Sequence, residues 1–230
     1  MPDEYSWAEP PRQTAFPVAR AGYPLIAAAA FATFVFALLQ LTFPAVLGLA
    51  ASFAIAGFFR DPDRIIPQRR GLIVSPADGK VIFADIVSQS PFLEGPAFQI
   101  SIFMSVFDVH VNRVPHEGRV ARTKYRPGRF LPADRGEASM KNEHNAVWIE
   151  TPEGRKICFV QVAGLIARRI LCTLQEGDPV ARGQRCGMIC FGSRLDVYLP
   201  REVRPAVAVG DRVRAGTTVL ASFSQEMSHG

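Results

Sequence analysis

The sequence predicts a mainly β protein, a β-rich α+β chain that carries a hydrophobic helical hairpin at its N-terminus. Three observations carry this prediction. Residues 21–59 contain no charged side chain. From Arg60 onward the texture changes to short runs of β-forming residues punctuated by Gly, Pro and Asp, the pattern of strands between turns. A seven-residue segment, Gly-Asp-x-Val-x-x-Gly, occurs at Gly177–Gly183 and again at Gly210–Gly216, 33 residues later. Its glycines supply turn conformations on either side of a short strand, so two copies predict two equivalent halves of a closed sandwich.

The elements follow in order. Residues 1–20 form an N-terminal tail. The uncharged run is about twice the roughly 20 residues that one membrane helix needs. Gln40-Leu41-Thr42-Phe43-Pro44 interrupts it, which predicts helices near 23–40 and 45–59 and a membrane-associated hairpin over 21–60. Arg12 and Arg20 precede the run, and Arg60, Arg64, Arg69 and Arg70 follow it. Positive residues at both ends place both ends on the cytoplasmic side. The competing readings are a helical hairpin buried in a soluble core and a single tilted span that places the domain outside. Hydrophobic residues make up 48% of the chain, and the mean hydropathy is +0.11. The hairpin accounts for that value. The net charge is +5. No basic stripe is interleaved with aromatics, so the charge points to anionic lipid headgroups rather than nucleic acid.

Residues 61–230 read as one β-rich domain. Strands are predicted at 71–74, 80–84, 98–103, 146–150, 156–162, 188–191 and 218–221. One helix is predicted over 164–171, and a loop over 125–137. The two-copy repeat resembles that of lipoyl- and biotinyl-type domains, which implies a barrel-sandwich-hybrid-like fold. The four cysteines (Cys158, Cys172, Cys186, Cys190) include no Cys-x-x-Cys and lack a histidine at metal-ligand spacing. They read as buried thiols of a reducing cytosol, with no metal site.

The chemistry is carried by three polar clusters. Gly192-Ser193 lies in Cys190-Phe191-Gly192-Ser193-Arg194-Leu195-Asp196, directly after an apolar strand. Asp78 lies in Ser75-Pro76-Ala77-Asp78-Gly79-Lys80, and His110 in Asp108-Val109-His110-Val111-Asn112-Arg113-Val114-Pro115. A hydroxyl, a carboxylate and an imidazole are the parts that activate a serine. A base that removes the Ser193 proton lets Oγ attack the Gly192 carbonyl carbon. The peptide becomes an ester, and β-elimination leaves a dehydroalanine that hydrolyses to a pyruvoyl group and ammonia. Such a ketone forms an imine with an amine and acts as an electron sink. Each residue also has an ordinary use: Ser193 in a turn, Asp78 in an Asx-turn, His110 as a structural histidine. His110 is expected to end a strand with Asp108 on its face. His144 is a rival base, while His116 and His229 read as solvent-facing.

Ser-Pro-Ala-Asp-Gly-Lys, Asp-x-His-x-x-Arg-x-Pro, Ala-Gly-x-Ile-Ala-Arg-Arg-Ile and Phe-Gly-Ser-Arg-x-Asp occur in that order. With them, the chain from about residue 20 to 222 resembles the phosphatidylserine decarboxylases of the short, membrane-anchored type. The resemblance implies cleavage between Gly192 and Ser193 into a β chain of 1–192 and an α chain of 193–230, which remain together as a heterodimer. Higher oligomers are left open. It implies that Ser193 becomes the covalent pyruvoyl cofactor, with neither pyridoxal phosphate nor metal. That group would form a Schiff base with phosphatidylserine and release carbon dioxide and phosphatidylethanolamine, at the cytoplasmic face of the cell (inner) membrane. Asp78 matches the family aspartate of self-processing and would orient a histidine base. His110 or a held water would return the proton.

One departure matters. Longer members of the family carry histidine where this chain has Arg113. Arginine stays protonated and cannot be a base, so His110 serves both steps or His144 supplies one. Arg113 and His144 are therefore candidate substrate-binding residues. Three other functions compete. A non-enzymatic carrier of barrel-sandwich type would need a modifiable lysine between the repeats, and 184–209 contains none, while a membrane-anchored adaptor would carry long helical-hairpin heptads, which the sequence lacks. A pyruvoyl decarboxylase of a soluble amino acid would leave the hairpin without use. A related lipid such as archaetidylserine carries the same headgroup.

Overall fold

The computed structural model describes residues 5–7, 17–134, 136, 138–165, 169–190 and 193–223. Its contacts divide the chain into two compact units, one of residues 12–63 and one of residues 1–11 with 64–230.

The smaller unit is a helical hairpin. α1 (Tyr23–Leu38) and α2 (Thr42–Phe58) are joined by a tight turn in which Gln40 has a φ of 56°. No side chain of either helix is buried, and Phe31, Phe34, Phe43 and Phe53 are more than half exposed. An apolar surface this continuous requires a covering partner. The reading of a hairpin buried in a soluble core does not fit these exposures. The hydroxyls of Thr33 and Ser52 donate to the carbonyls of Ala29 and Gly48, each at 2.8 Å and one turn back. They therefore need no water. The helical stretch Arg20–Leu38 is 19 residues, long and apolar enough to cross a membrane, whereas Thr42–Phe58 is shorter.

The larger unit is built from strands β1 (Tyr5–Trp7), β2 (Ile65–Pro67), β3 (Leu72–Val74), β4 (Gly79–Val87), β5 (Ala97–Met104), β6 (Val111–Arg113), β7 (Gly118–Arg126) and β8 (His144–Glu150). The chain continues with β9 (Lys156–Val162), β10 (Ile170–Cys172), β11 (Pro179–Val180), β12 (Arg185–Ile189), β13 (Ser193–Pro200), β14 (Arg204–Pro205), β15 (Arg212–Val213) and β16 (Val219–Ser222). A single-turn helix, α3 (Ala138–Lys141), precedes β8. Eight strands form a curled half-barrel in the order β11-β7-β8-β9-β13-β5-β4-β15. Two three-stranded sheets, β10-β12-β6 and β14-β16-β3, complete the domain, and β1 pairs with β2.

This order reads as two interlocked halves. The chain lays down β3, β4 and β5 of one half and then builds all of the other from β6 to β12. It returns as β13 to β16, pairing β13 with β5, β15 with β4 and β16 with β3. β13 also pairs with β9 and so forms the seam between the halves. The sequence repeat supplies equivalent turns. Gly177 N donates to Val120 O and Gly210 N to Val81 O, both at 2.8 Å. Asp178 Oδ2 accepts from Gln175 N, and Asp211 Oδ2 from Ala208 N, again both at 2.8 Å. Ile66 packs under both repeats, leaving no room for a Cβ at Gly183 or Gly216, where φ is +77° and +74°.

The predicted helix over 164–171 is corrected in part. Ile170 and Leu171 belong to β10, because the β12 edge offers their backbone hydrogen bonds. Residues 166–168 lie outside the described residues. No cysteine forms a disulfide, and Cys158, Cys186 and Cys190 are buried.

Candidate active site

Ser193 heads the seam strand β13. It is fully buried and stands opposite Met104, the last residue of β5. Its Oγ lies 3.4 Å from Met104 Sδ. Along β13 the side chains alternate. Leu195, Val197 and Leu199 enter the main core, so Ser193 shares their inner face, and Arg194, Asp196 and Tyr198 occupy the outer one. Gly192 and Phe191 lie outside the described residues.

His110 is also fully buried, but it precedes β6 instead of ending a strand. Residues 105–108 form a turn in which Asp108 Oδ2 accepts from Ser105 N at 2.8 Å and Ser105 Oγ at 2.7 Å. The main-chain oxygen of Asp108, rather than its carboxylate, then meets His110 Nδ1 at 2.9 Å. A carbonyl can only accept, so the neutral ring keeps its proton on Nδ1 and its lone pair on Nε2. Ile189 N donates to His110 O at 3.4 Å. The connectors 104–110 and 189–193 are thus tied together at both ends, by His110 with Ile189 and by Met104 with Ser193. His110 has the phase of Asn112 and Val114, and Val114 lies in the main core.

Asp78 has other partners than a histidine. Its Oδ2 accepts from Arg64 Nη2 at 2.8 Å and its Oδ1 from Ala215 N at 2.8 Å. The expectation that it orients the base directly is corrected: it pins the 75–78 turn to the second repeat. That turn supports β6, since Arg113 N donates to Pro76 O at 2.9 Å. Asp78 therefore reaches His110 through the backbone. Arg113 alternates to the other side of β6, where its buried guanidinium donates from Nη1 to Gly183 O at 2.9 Å.

His144 heads β8. It pairs with Val162, which in turn pairs with Arg194. Its neighbours in phase, Ala146 and Trp148, belong to the outer apolar cluster with Phe92. The ring meets Phe92 edge-on at 5.9 Å, and Nδ1 lies 2.8 Å from Asn142 O. The sheet thus separates His144 from the face that holds Ser193. His116, expected to face solvent, is instead 1% exposed and packs edge-on against Phe223. Burial lowers its pKa. His229 lies outside the described residues.

Four residues next to Ser193 escaped the sequence reading. Asn145 Nδ2 donates to Gln161 Oε1 at 3.2 Å, and Gln161 Nε2 to Asn112 Oδ1 at 2.9 Å. Asn112 Nδ2 ends on Met104 Sδ at 3.8 Å, the sulfur that the Ser193 hydroxyl also meets. The outer face is ionic. Arg194 Nε donates to Asp196 Oδ1 at 2.6 Å and Arg194 Nη2 to Ser101 Oγ at 2.8 Å. Ser139 of α3 donates to Asp196 Oδ2. Burial and the neighbouring Asp196 push the Tyr198 phenol far up. The arrangement offers a buried hydroxyl, a histidine with a defined tautomer, and oriented amides without a net charge on the serine's side. These are the requirements of acyl transfer at a serine.

Comparison with known proteins agrees with this chemistry. A profile describing the phosphatidylserine decarboxylase family matches residues 52–221. A phosphatidylserine decarboxylase proenzyme of Desulfotalea psychrophila is 47% identical over 211 residues, covering 92% of this chain and 99% of the relative. One from Syntrophus aciditrophicus is 48% identical over 207 residues, covering 90% and 97%. One from Geotalea uraniireducens is 49% identical over 204 residues, covering 89% and 95%. These matches run through both repeats and the seam strand, and they establish that the chain belongs to the phosphatidylserine decarboxylase family.

Proposed function

We propose that this chain is a self-cleaving proenzyme that decarboxylates phosphatidylserine to phosphatidylethanolamine at a membrane. The observation that carries the proposal is the burial of Ser193 at the head of the seam strand, within the Phe-Gly-Ser-Arg-x-Asp motif.

His110 Nε2 takes the Ser193 proton as Oγ bonds to the Gly192 carbonyl carbon. The proton passes to the departing nitrogen as the Gly192–Ser193 peptide bond breaks, giving the ester. Loss of the Ser193 α-proton then expels Gly192 as a carboxylate, and water converts the residue to a pyruvoyl group with release of ammonia. Asp78 and Arg113 position the base, Asp78 through the 75–78 turn and Arg113 through Pro76 and Gly183. β13 hydrogen-bonds on both edges, so the 193–230 chain stays in place after the cut as the partner of the 1–192 chain. The pyruvoyl carbonyl would supply an electron sink for the electron pair left on the substrate carbon as carbon dioxide departs. His110 stands where it can return a proton to the product.

The domains divide as tail 1–20, hairpin 21–60 and catalytic domain 61–230. The hairpin lies in the cell membrane, with the basic residues 60–70 at the cytoplasmic headgroups. This brings the site to a lipid that hardly leaves the bilayer. A carrier or adaptor role finds no support beside relatives named as decarboxylase proenzymes.

The test is decarboxylation of carboxyl-labelled phosphatidylserine in vesicles by the purified full chain. Labelled carbon dioxide and phosphatidylethanolamine are expected from the native chain, and neither from Ser193→Ala. Equal turnover of free serine or phosphoserine would refute the lipid assignment. Turnover by Ser193→Ala would refute the site.

A further inference from the structure

We infer that Asn112, oriented by Gln161, is the hydrogen-bond donor that stabilises the oxygen charge developing when Ser193 attacks in self-cleavage. The inference rests on the self-cleavage reading and adds to it a residue that neither motif logic nor family resemblance singled out.

Among the described residues, the inner face around Ser193 is apolar apart from His110 and a line of amides. Asn112 and Gln161 are fully buried and Asn145 nearly so, among Met104, Ile102, Phe159 and Leu195. Placing amides there costs free energy unless their hydrogen bonds are made. The bonds run in one direction: Asn145 Nδ2 to Gln161 Oε1, then Gln161 Nε2 to Asn112 Oδ1. The NH2 groups of Asn145 and Gln161 each face an oxygen, so neither Gln161 nor Asn112 can flip without setting donor against donor or oxygen against oxygen. The far end of Asn112 is therefore fixed as a donor, and it points to the serine's end of the line.

What it meets there is a thioether, a weak acceptor, at 3.8 Å. Every other donor in the line meets an oxygen. The same sulfur receives the Ser193 hydroxyl at 3.4 Å. In the resting proenzyme an oriented amide donor is thus held beside the nucleophile with its capacity largely unspent. Attack by Oγ on the Gly192 carbonyl carbon forms a C–O bond and moves the carbonyl electron pair onto oxygen. A donor already in position at that moment acts without reorganising water. Among the described residues the inner face carries no ion pair that would do this instead, since Arg194 is engaged with Asp196 and Ser101 on the other side of the strand. Met104 is a placeholder that keeps the donor from pairing too well before reaction.

The experiment is pulse-labelled synthesis of the full chain in a membrane-containing translation mixture, following conversion to the 1–192 and 193–230 fragments. Asn112→Leu should slow the cut by about 10²–10³-fold, the loss seen when one such donor is removed. Gln161→Leu, which frees the amide to turn, should slow it less, and Met104→Leu least of all. Folding is checked by introducing each change into Ser193→Ala and comparing thermal melting. Asn112→Asp keeps the shape and the bond from Gln161, and its folding is compared in Ser193→Ala at each pH, because an ionised carboxylate buried there also costs stability. Its ionised form cannot donate, while its protonated form can. Among folded chains its cleavage rate relative to the native chain should therefore climb as pH falls, whereas a purely structural asparagine would change only the folded fraction. Native-rate cutting in Asn112→Leu, or a pH-independent ratio in Asn112→Asp, would overturn the inference. Ser193→Ala is the control that separates it from the parent reading: cutting at 192/193 in that variant refutes self-cleavage itself.

Discussion

The two faces of strand β13 differ in chemistry within one residue. On the inner face Ser193 meets a thioether that the end of a line of neutral amides also reaches. On the outer face Arg194, Asp196, Ser139 and Ser101 form a closed network of charge-assisted bonds. The difference shows how one strand can be both a reaction centre and an anchor. The ionic face holds the strand, and it fills its bonding capacity in doing so. The inner face is left polar without net charge, so that charge arising there during reaction finds donors already placed. A cut at the head of this strand removes its covalent link to β12 but none of its pairing to β5 and β9.

The largest expected effect breaks the inner face. His110→Gln removes the base and keeps much of the shape. Conversion to two fragments should slow by about 10²–10⁴-fold, as measured on pulse-labelled chains. Arg194→Met breaks the outer face instead. It leaves Asp196 buried without its charged partner, which costs about 3–5 kcal/mol. Denaturant unfolding of the change in Ser193→Ala checks this, and the folded fraction of the cleavable chain should still cut itself. Slow cutting there with stability unchanged would reverse the assignment of the two faces.

A smaller effect lies at the support of the base. Asp78→Asn keeps an acceptor for Ala215 N and loses the charge facing Arg64. The expected loss is about 1–2 kcal/mol of stability, with slower cleavage that follows displacement of the 75–78 turn. The smallest is a pH effect far from Ser193. Burial lowers the His116 pKa below its ordinary value, so the fold favours the neutral ring. That contribution is complete above the ordinary histidine pKa near 6.5 and is lost as pH falls through the lower folded value. Burial alone would raise the neighbouring Glu117 carboxyl, but Arg182, bonded to both oxygens, holds it below its usual value. Its contribution fades only at lower pH. His116→Phe should therefore flatten the decline of melting temperature between pH 7 and 5.

Much of the fold was legible. The hairpin announced itself by the absence of charge over 39 residues, and seven strands by their β-branched runs. The repeat marked two equivalent halves. Two long strands were missed for one physical reason. β7 and β13 alternate charged residues such as Arg119 and Lys124, or Arg194 and Asp196, which resemble loop composition until a partner face is known. Pairing across the sequence also overrode the helical spacing of Ile170 and Leu171. At the site, the motifs singled out Ser193 and His110, both of which are buried. The true partners of Asp78, the burial of His116 and the separation of His144 from Ser193 were not legible, because each depends on strand register. Asn112, Gln161 and Asn145 gave no local signal beyond being lone amides in apolar strands.

The central claim is that Ser193 is consumed to make the enzyme's carbonyl group. Denaturing mass spectrometry of the purified active protein tests it most directly. The account predicts two chains, 1–192 and 193–230, the shorter beginning with a ketone that reacts with hydrazides and has lost its amine. An active preparation made only of unbroken chain, or a short chain that begins with an intact serine, would contradict it.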